Sequence, residues 1–437
     1  MTIRNKLLGT ATGFGLAASL ATAAAAEEIT IATVNNGDMI IMQELSSQWE
    51  EATGNTVNWV VLEENVLRTR VTTDIASGGG QFDIMTIGSY EAPIWGAQGW
   101  LEPLDEIEGY DYDDLIPAVK AGLSSDGTLY ALPFYAESSF TMYRTDLFEA
   151  AGLEMPEQPT YDQIMSFAEQ LTDRENEVYG ICLRGKAGWG ENMAFIGTLI
   201  NTFGGRWFDE NWMPQADQPA WSDALDYYLD IMTKYGPPGA STNGYNENQA
   251  LFQTGKCAIW VDATSAAGRV FDPSQSEYAD KVGFAVAPIA KVEKGNAWFW
   301  AWSLAIPSSS QNVDVAKNFL EWSTSQEYVE LVGETKGWVA VPPGTRQSTY
   351  ANPKYIEAAP FAETVLNSIL AADPSDATAD PVPYTGIQYV AIPEFAGLGT
   401  QVGTNFSEAL AGSRTAEEAL SDSQTLLVEE MEAAGYN

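Results

Sequence analysis

Between Glu28 and Gly88 the chain alternates two kinds of segment. "EITIATVN", "NTVNWVVLE" and "FDIMTIG" are short, extended and rich in β-branched residues. Between them, "MIIMQELSSQWEEATG" and "NVLRTRVTTDIASG" carry apolar residues at helical spacing and close on glycine. A strand that follows a helix of this length has room to lie parallel to the strand before it. The order therefore predicts a βαβαβ unit, a parallel sheet covered by helices, with a further helical turn around "YEAPIWGAQGW".

A second α/β region follows. "PTYDQIMSFAEQLT" offers Thr160 as an N-cap, "VYGICLRG" and "KCAIWVD" read as strands, and "NMAFIGTLINTFGG" and "WSDALDYYLDIMTKYG" read as helices ending at glycine. "NVDVAKNFLEWSTSQEYVELVGETKG" and "TAEEALSDSQTLLVEEMEAAG" read as amphipathic helices. A chain of 437 residues is too long for one ordinary core, yet no flexible linker interrupts it. Two domains joined by several crossings of the chain are expected, with "TLYALPFYAESSFTMYR" and "NAWFWAWSLAIP" as crossing strands and a ligand cleft between the domains.

The first residues, "MTIRNKLLGTATGFGLAASLATAAAAEE", have Arg4 and Lys6, then an apolar and small-residue run, then four alanines. That is the layout of a secretory signal peptide over residues 1–26. The formal charge of −39 becomes more negative still once those two cations are removed, and it argues against nucleic acid and anionic lipid as partners. With no histidine, His-based triads and His metal sites are absent, and two cysteines alone cannot build a metal centre. Cys182 and Cys257 are equally suited to a disulfide in an oxidising compartment and to packing as buried thiols.

"GNAWFWAWSLAIP" places Trp298, Trp300 and Trp302 on one face of an extended chain. Such an aromatic surface suits a ligand with a C–H face and a hydroxyl rim; a bulky core strand is the alternative. Trp302 is assigned here to packing, because Ser303 onward reads as a strand of the next domain.

Four stretches, "ITIATVNNGDM", "GGGQFDIMTIGSYEAPIWGAQGWLEPL", "GTLYALPFYAESSFTMYRTDLFEAAGLEMPEQPTYDQI" and "AWSLAIPSSS" leading into "AKNFLEW", resemble the extracellular solute-binding proteins of carbohydrate ABC transporters, the group that includes maltose-binding protein. "VNNGDM", "LEENVLRTRVTTDIASGGGQFD" and "GSYEAPIWGAQGWLEPLD" are similar to its sorbitol- and mannitol-binding branch. The resemblance implies an α/β, two-lobed type II binding protein fold, each lobe a sheet flanked by helices. Residues 27–136 with 303–340 would form the N-terminal lobe, and 137–302 with 341–437 the C-terminal lobe. It implies a monomeric periplasmic protein without a cofactor or metal, which binds a linear polyol such as sorbitol, mannitol or arabitol and presents it to membrane permease subunits. No reaction is involved. A cyclic mono- or oligosaccharide is the alternative ligand, and a secreted glycoside hydrolase the alternative class. A calcium-dependent scaffold would need an EF-hand-like ladder, which the sequence lacks.

By the same resemblance, ligand contacts fall on Asp38, Tyr90, Glu137, Trp189, Asn192, Trp260, Asp262, Trp298, Trp300 and Trp338. Met39 departs from the basic residue that maltose-type relatives often place after the first acid. Carboxylates suit a polyol because each can accept hydrogen bonds from neighbouring hydroxyls. Asp38 also fits a turn cap, Glu137 a structural salt bridge and Asp262 an N-cap. Trp189 and Trp298 fit cleft and core alike. Glu64, in "LEENV", fits either a ligand contact or a solvated acid, and the scarce cations Arg68 and Arg70 either pair with acids or reach the ligand.

Overall fold

The computed structural model describes residues 26–436, so the expected signal segment lies outside it apart from Ala26. The first elements are β1 (Glu28–Val34), α1 (Gly37–Thr53), β2 (Thr56–Leu62), α2 (Glu64–Ser77) and β3 (Ile84–Gly88). Each helix has a local start signal: the Asn36 side chain accepts from the Met39 amide, and the Glu63 carboxylate accepts from the amides of Asn65 and Val66. Each is stopped by a glycine, Gly54 and Gly78.

β1 pairs in parallel with β2 and β3, as the βαβαβ pattern predicts. The sheet is nevertheless mixed. Its order is β2, β1, β3, Trp300–Ala305, Leu132–Glu137, and the Trp300–Ala305 strand runs antiparallel to both neighbours. Direction of travel explains this. Leu132–Glu137 leaves the lobe towards the cleft, whereas Trp300–Ala305 enters from the cleft, so the two must run in opposite senses.

The second sheet is small and antiparallel. Ser139–Arg144 lies at its centre, flanked by Ile259–Ala263 and Val282–Val286. The stretch expected as the strand "VYGICLRG" makes isolated bridges instead, Tyr179 with Cys257 and Cys182 with Trp260. It is tied there covalently by a Cys182–Cys257 disulfide, which resolves the two states open to these cysteines. The helices Asn192–Thr202, Pro219–Tyr235, Phe395–Leu410 and Ala416–Ala434 pack together on this lobe. In the other, the helical stretch after the tryptophans divides into Val313–Ser323 and Gln326–Lys336, the second started by a Ser325 cap. Among the described residues no helix is long and apolar enough to cross a membrane.

The lobes are joined where the sequence suggests crossings. Only Ser138 separates the last strand residue of the first sheet from the first of the second. The return passes Trp298, whose amide donates to Ser139 Oγ at 3.3 Å, and joins the first sheet at Trp300, before the expected boundary at 303. A third passage lies near residues 343–346, where Pro343 and Thr345 carbonyls accept from the amides of Ala136 and Ile116.

Candidate functional site: a cavity between the lobes

The C-terminal ends of β1 and β2 and the crossing strands converge on a cavity of about 760 Å³, part of it open to solvent. Crevices at the carboxyl ends of parallel strands are where open α/β sheets hold ligands. The first sheet's side contributes Asn36, Glu63, Glu64, Arg68, Tyr135, Glu137, Trp300 and Trp302. The other side contributes Arg184, Lys186, Trp189, Glu191, Tyr245, Trp298 and Gln388.

Two buried arginines organise the walls. Arg68, one turn into α2, donates to Glu64 Oε1 from Nε and Nη2 at 3.0 and 2.9 Å, and to Glu91 Oε1 from Nη1 at 2.7 Å. Glu91 is itself fixed by the Gly88 amide at 3.0 Å. The guanidinium carbon lies 4.0, 4.9 and 4.8 Å from the ring centroids of Trp189, Trp300 and Trp302. Three indoles thus surround one planar cation, the arrangement their π faces favour.

Arg184 lies across the cavity. Both oxygens of Asp262 accept from it, at 2.6 to 3.1 Å, and its Nη1 donates to the Gly190 carbonyl at 2.8 Å. Burial opposes the charge, but Asp262 outweighs that penalty and raises the pKa of Arg184 well above its ordinary value. At the rim, Lys186 pairs with Glu63 and lies 3.5 Å from Glu191. Burial alone would raise the Glu63 carboxyl, yet Lys186 and two backbone amides hold it below the usual range.

The carboxylates of the floor behave differently. Burial pushes Glu137 up to about 8, against the opposing hydrogen bond from Ser265 Oγ at 2.5 Å and the field of Arg184. Burial and then repulsion from Glu64 raise Glu191 as well. A protonated Glu137 can donate as well as accept. Two further buried polar atoms, Trp300 Nε1 and Gln388 Oε1, have no protein partner, although Gln388 Nε2 is anchored to the Phe299 carbonyl at 2.7 Å. Buried polar atoms seldom stay unpaired, which sets these two apart from the rest of the wall. The cavity combines indole faces with closely spaced donors and acceptors.

Residues 35–330 match the model of the bacterial extracellular solute-binding proteins. The chain belongs to that family. It is 57% identical to the mannitol-binding protein of Pseudomonas aeruginosa, with 94% of each chain covered. A solved ABC transporter solute-binding protein from Agrobacterium vitis S4, with bound D-mannitol, is 59% identical over 94% of this chain and 99% of that one, with a TM-score of 0.93. Maltose-bound MalE3 of T. maritima, at 20% identity, covers 92% of this chain and 99% of its own with a TM-score of 0.77, a likeness of fold. The architecture is that of a two-lobed type II binding protein.

Of the ligand contacts expected from the resemblance and of Glu64, five line the cavity, Glu64, Glu137, Trp189, Trp298 and Trp300; of the two scarce cations Arg68 lines it and Arg70 lies over Phe82. Trp302 lines it too, on the same strand face as Trp300, and at 5% exposure it also packs in the core as expected. The other six lie elsewhere. Asp262 is fully buried and engaged by Arg184, and Trp260 is equally buried, its Nε1 donating to Asp262 Oδ2 at 3.1 Å. Asn192 bridges the Gly188 amide and the Gly403 carbonyl. Tyr90 donates to the Ile392 carbonyl at 2.9 Å from beneath the aromatic wall. Asp38 turns towards Arg269 in a neighbouring cleft, and Met39 is in the core. Trp338 packs on Gly333 and below Lys354.

Sequence reasoning missed Asn36, Glu63, Tyr135, Arg184, Lys186, Glu191, Tyr245 and Gln388. Arg184 had a signal: a cation inside the apolar run "YGICLRG" needs a buried counterion. Gln388 had none, because its place comes from a contact with Phe299, 89 residues away.

Proposed function

We propose that this protein is the periplasmic receptor of an ABC importer, capturing a linear polyol, D-mannitol foremost, between its lobes and passing it to membrane permease subunits. The observation that carries the reading is the D-mannitol bound to the relative of 59% identity and near-identical fold. The family's extracellular role and the signal-like opening of the sequence support the compartment.

The proposed contacts follow from the cavity wall. Glu64, Glu137 and Glu191 accept from hydroxyls, Arg68 and Arg184 donate to them, and Gln388 Oε1 and Trp300 Nε1 take one each. Trp189, Trp298 and Trp302 cover the C–H surface. Residues 27–137 with 300–346 form one lobe in this reading, and 138–299 with 347–437 the other. Direct bonds already span the lobes, Asn65 Nδ2 to the Ala187 carbonyl at 3.0 Å and Asn246 Nδ2 to the Asn35 carbonyl at 3.2 Å. Ligand bridging both walls shifts the population towards this closed arrangement.

Isothermal titration of the mature protein with mannitol, sorbitol, arabitol, xylitol, glucose and maltose tests the reading. Micromolar or tighter binding of a linear polyol is expected. Binding of glucose or maltose alone would replace the ligand class while keeping the family. Turnover of aryl glycosides would replace the binder reading itself.

A further inference from the structure

A second contact joins the lobes outside the ligand cavity. Arg269, on the short helix Ala267–Val270 of the second lobe, reaches the start of α1 in the first. Its Nη2 lies 3.8 Å from Asp38 Oδ2, and its Nη1 donates to Gln275 Oε1 at 3.3 Å. The guanidinium also lies directly against Gly37, where an added Cβ would fall 1.5 Å from Cζ. Both partners are largely buried, their side chains 15% and 11% exposed. They line a separate small cleft, which shares a wall with the ligand cavity: Ser265 faces this cleft and bonds Glu137 on the other side.

The same device recurs beside the cavity. An added Cβ at Gly190 would fall 2.3 Å from Glu64 Oε1, and one at Gly188 would fall 2.6 Å from Asn65 Oδ1. At each place one lobe presents bare backbone to a polar side chain of the other. These approaches exist only while the lobes are together.

We propose that Arg269 is a positioning residue for ligand retention, latching the second lobe onto Gly37 and Asp38 of the first so that the closed form persists without Arg269 touching the ligand. The latch rests on the polyol-receptor reading for what it retains. Asn36, next to Gly37, lines the cavity and donates to Tyr135 Oη at 2.8 Å, so the latch also bears on the cavity wall. A contact made only after closure slows reopening and leaves the encounter unchanged, and its loss is read in the dissociation rate.

The test is stopped-flow kinetics with D-mannitol on wild type, Arg269→Ala, Arg269→Lys and Gly37→Ala. We expect Arg269→Ala and Gly37→Ala to speed dissociation about tenfold with association within about twofold of wild type. Arg269→Lys should fall between, and the melting temperatures without ligand should match. Small-angle scattering at saturating ligand should show both weak variants less compact than wild type. Wild-type dissociation in Gly37→Ala and in folded Arg269→Ala overturns the latch. A wild type that ignores mannitol and binds another member of the titration panel overturns the mannitol assignment alone, and the same kinetics with that ligand then decide the latch. Silence across the whole panel overturns both.

Discussion

The two arginines that face each other across the cavity are held in different ways. Arg68 shares its charge between Glu64 and Glu91 and is enclosed by three indoles, and Glu64 itself faces the cavity. Arg184 rests mainly on fully buried Asp262, with the cavity-lining Glu191 at a longer 3.8 Å. On one side a counterion in direct hydrogen-bonding contact is part of the binding surface. On the other it is part of the foundation. Acidic residues near a cleft therefore cannot be read alike, because their role depends on whether a cation has claimed them first.

The largest effect should come from Asp262→Ala. It strands a buried guanidinium, and losing one partner of a buried pair costs about 3–5 kcal/mol. Urea denaturation should show that loss without ligand present. Glu64→Gln leaves Arg68 paired with Glu91 and keeps an amide oxygen that can accept from the guanidinium, so it should cost only about 1 kcal/mol. Equal losses for the two variants would erase the distinction.

Next in size is the disulfide. Cys182 lies two residues before Arg184, so the second arginine sits on a covalently tied segment, whereas Arg68 sits on a helix held by packing and caps. Closing a loop over a sequence separation of 75 residues restricts the unfolded chain, and replacing both cysteines by serine should cost about 2–4 kcal/mol. Denaturation with and without reductant checks this: reductant should destabilise wild type and leave the double variant unmoved.

Trp302→Ala sharpens the Arg68 side. Removing one of three indoles loosens the guanidinium and uncovers ligand surface, so mannitol binding should weaken by about 1–3 kcal/mol. Titration that finds unchanged affinity in the folded variant would leave Trp302 a packing role alone.

What the sequence disclosed follows the range of the interactions involved. β1 to β3, α1 and α2 were legible because period, caps and terminating glycines are local. Thr160 likewise starts the helix Tyr161–Leu171 through a capping box with Gln163. Trp300 stands where the chain crosses and lines the cavity, and Glu64 and Trp298, each open to two readings in the sequence, line it as well. Asp262 was misread because its partner Arg184 is 78 residues away. Trp302 both packs and faces the cavity, because a strand can belong to one sheet and still turn a face to the cleft. Tyr245 and Gln388 reach the wall through tertiary placement alone, which leaves no local pattern.

The last effect concerns protons on the cavity floor. Glu137 has a folded pKa of about 8, raised by burial from an ordinary value near 4.5, despite Ser265 and Arg184. The native state therefore holds a proton that the unfolded chain has released between those two values. Its contribution to stability is fully present below about 4.5, declines as pH rises, and is gone above the folded pKa. For one proton the slope is at most about 1.4 kcal/mol per pH unit. Glu191, raised by burial and by Glu64, adds in the same direction. Glu63 and Asp114 are held below the usual range, by Lys186 and by Ser348 with Arg346 respectively, against the burial that would raise them. Their stabilisation disappears only in more acidic solution, so a window from pH 5 to 8 isolates the raised groups. Urea midpoints across that window should fall with pH in wild type and fall less steeply in Glu137→Gln, whose amide keeps the size and the acceptor for Ser265 while removing the titration. Identical slopes would mean that Glu137 is ionised in the folded protein, and the cavity floor would then offer hydroxyls an acceptor only.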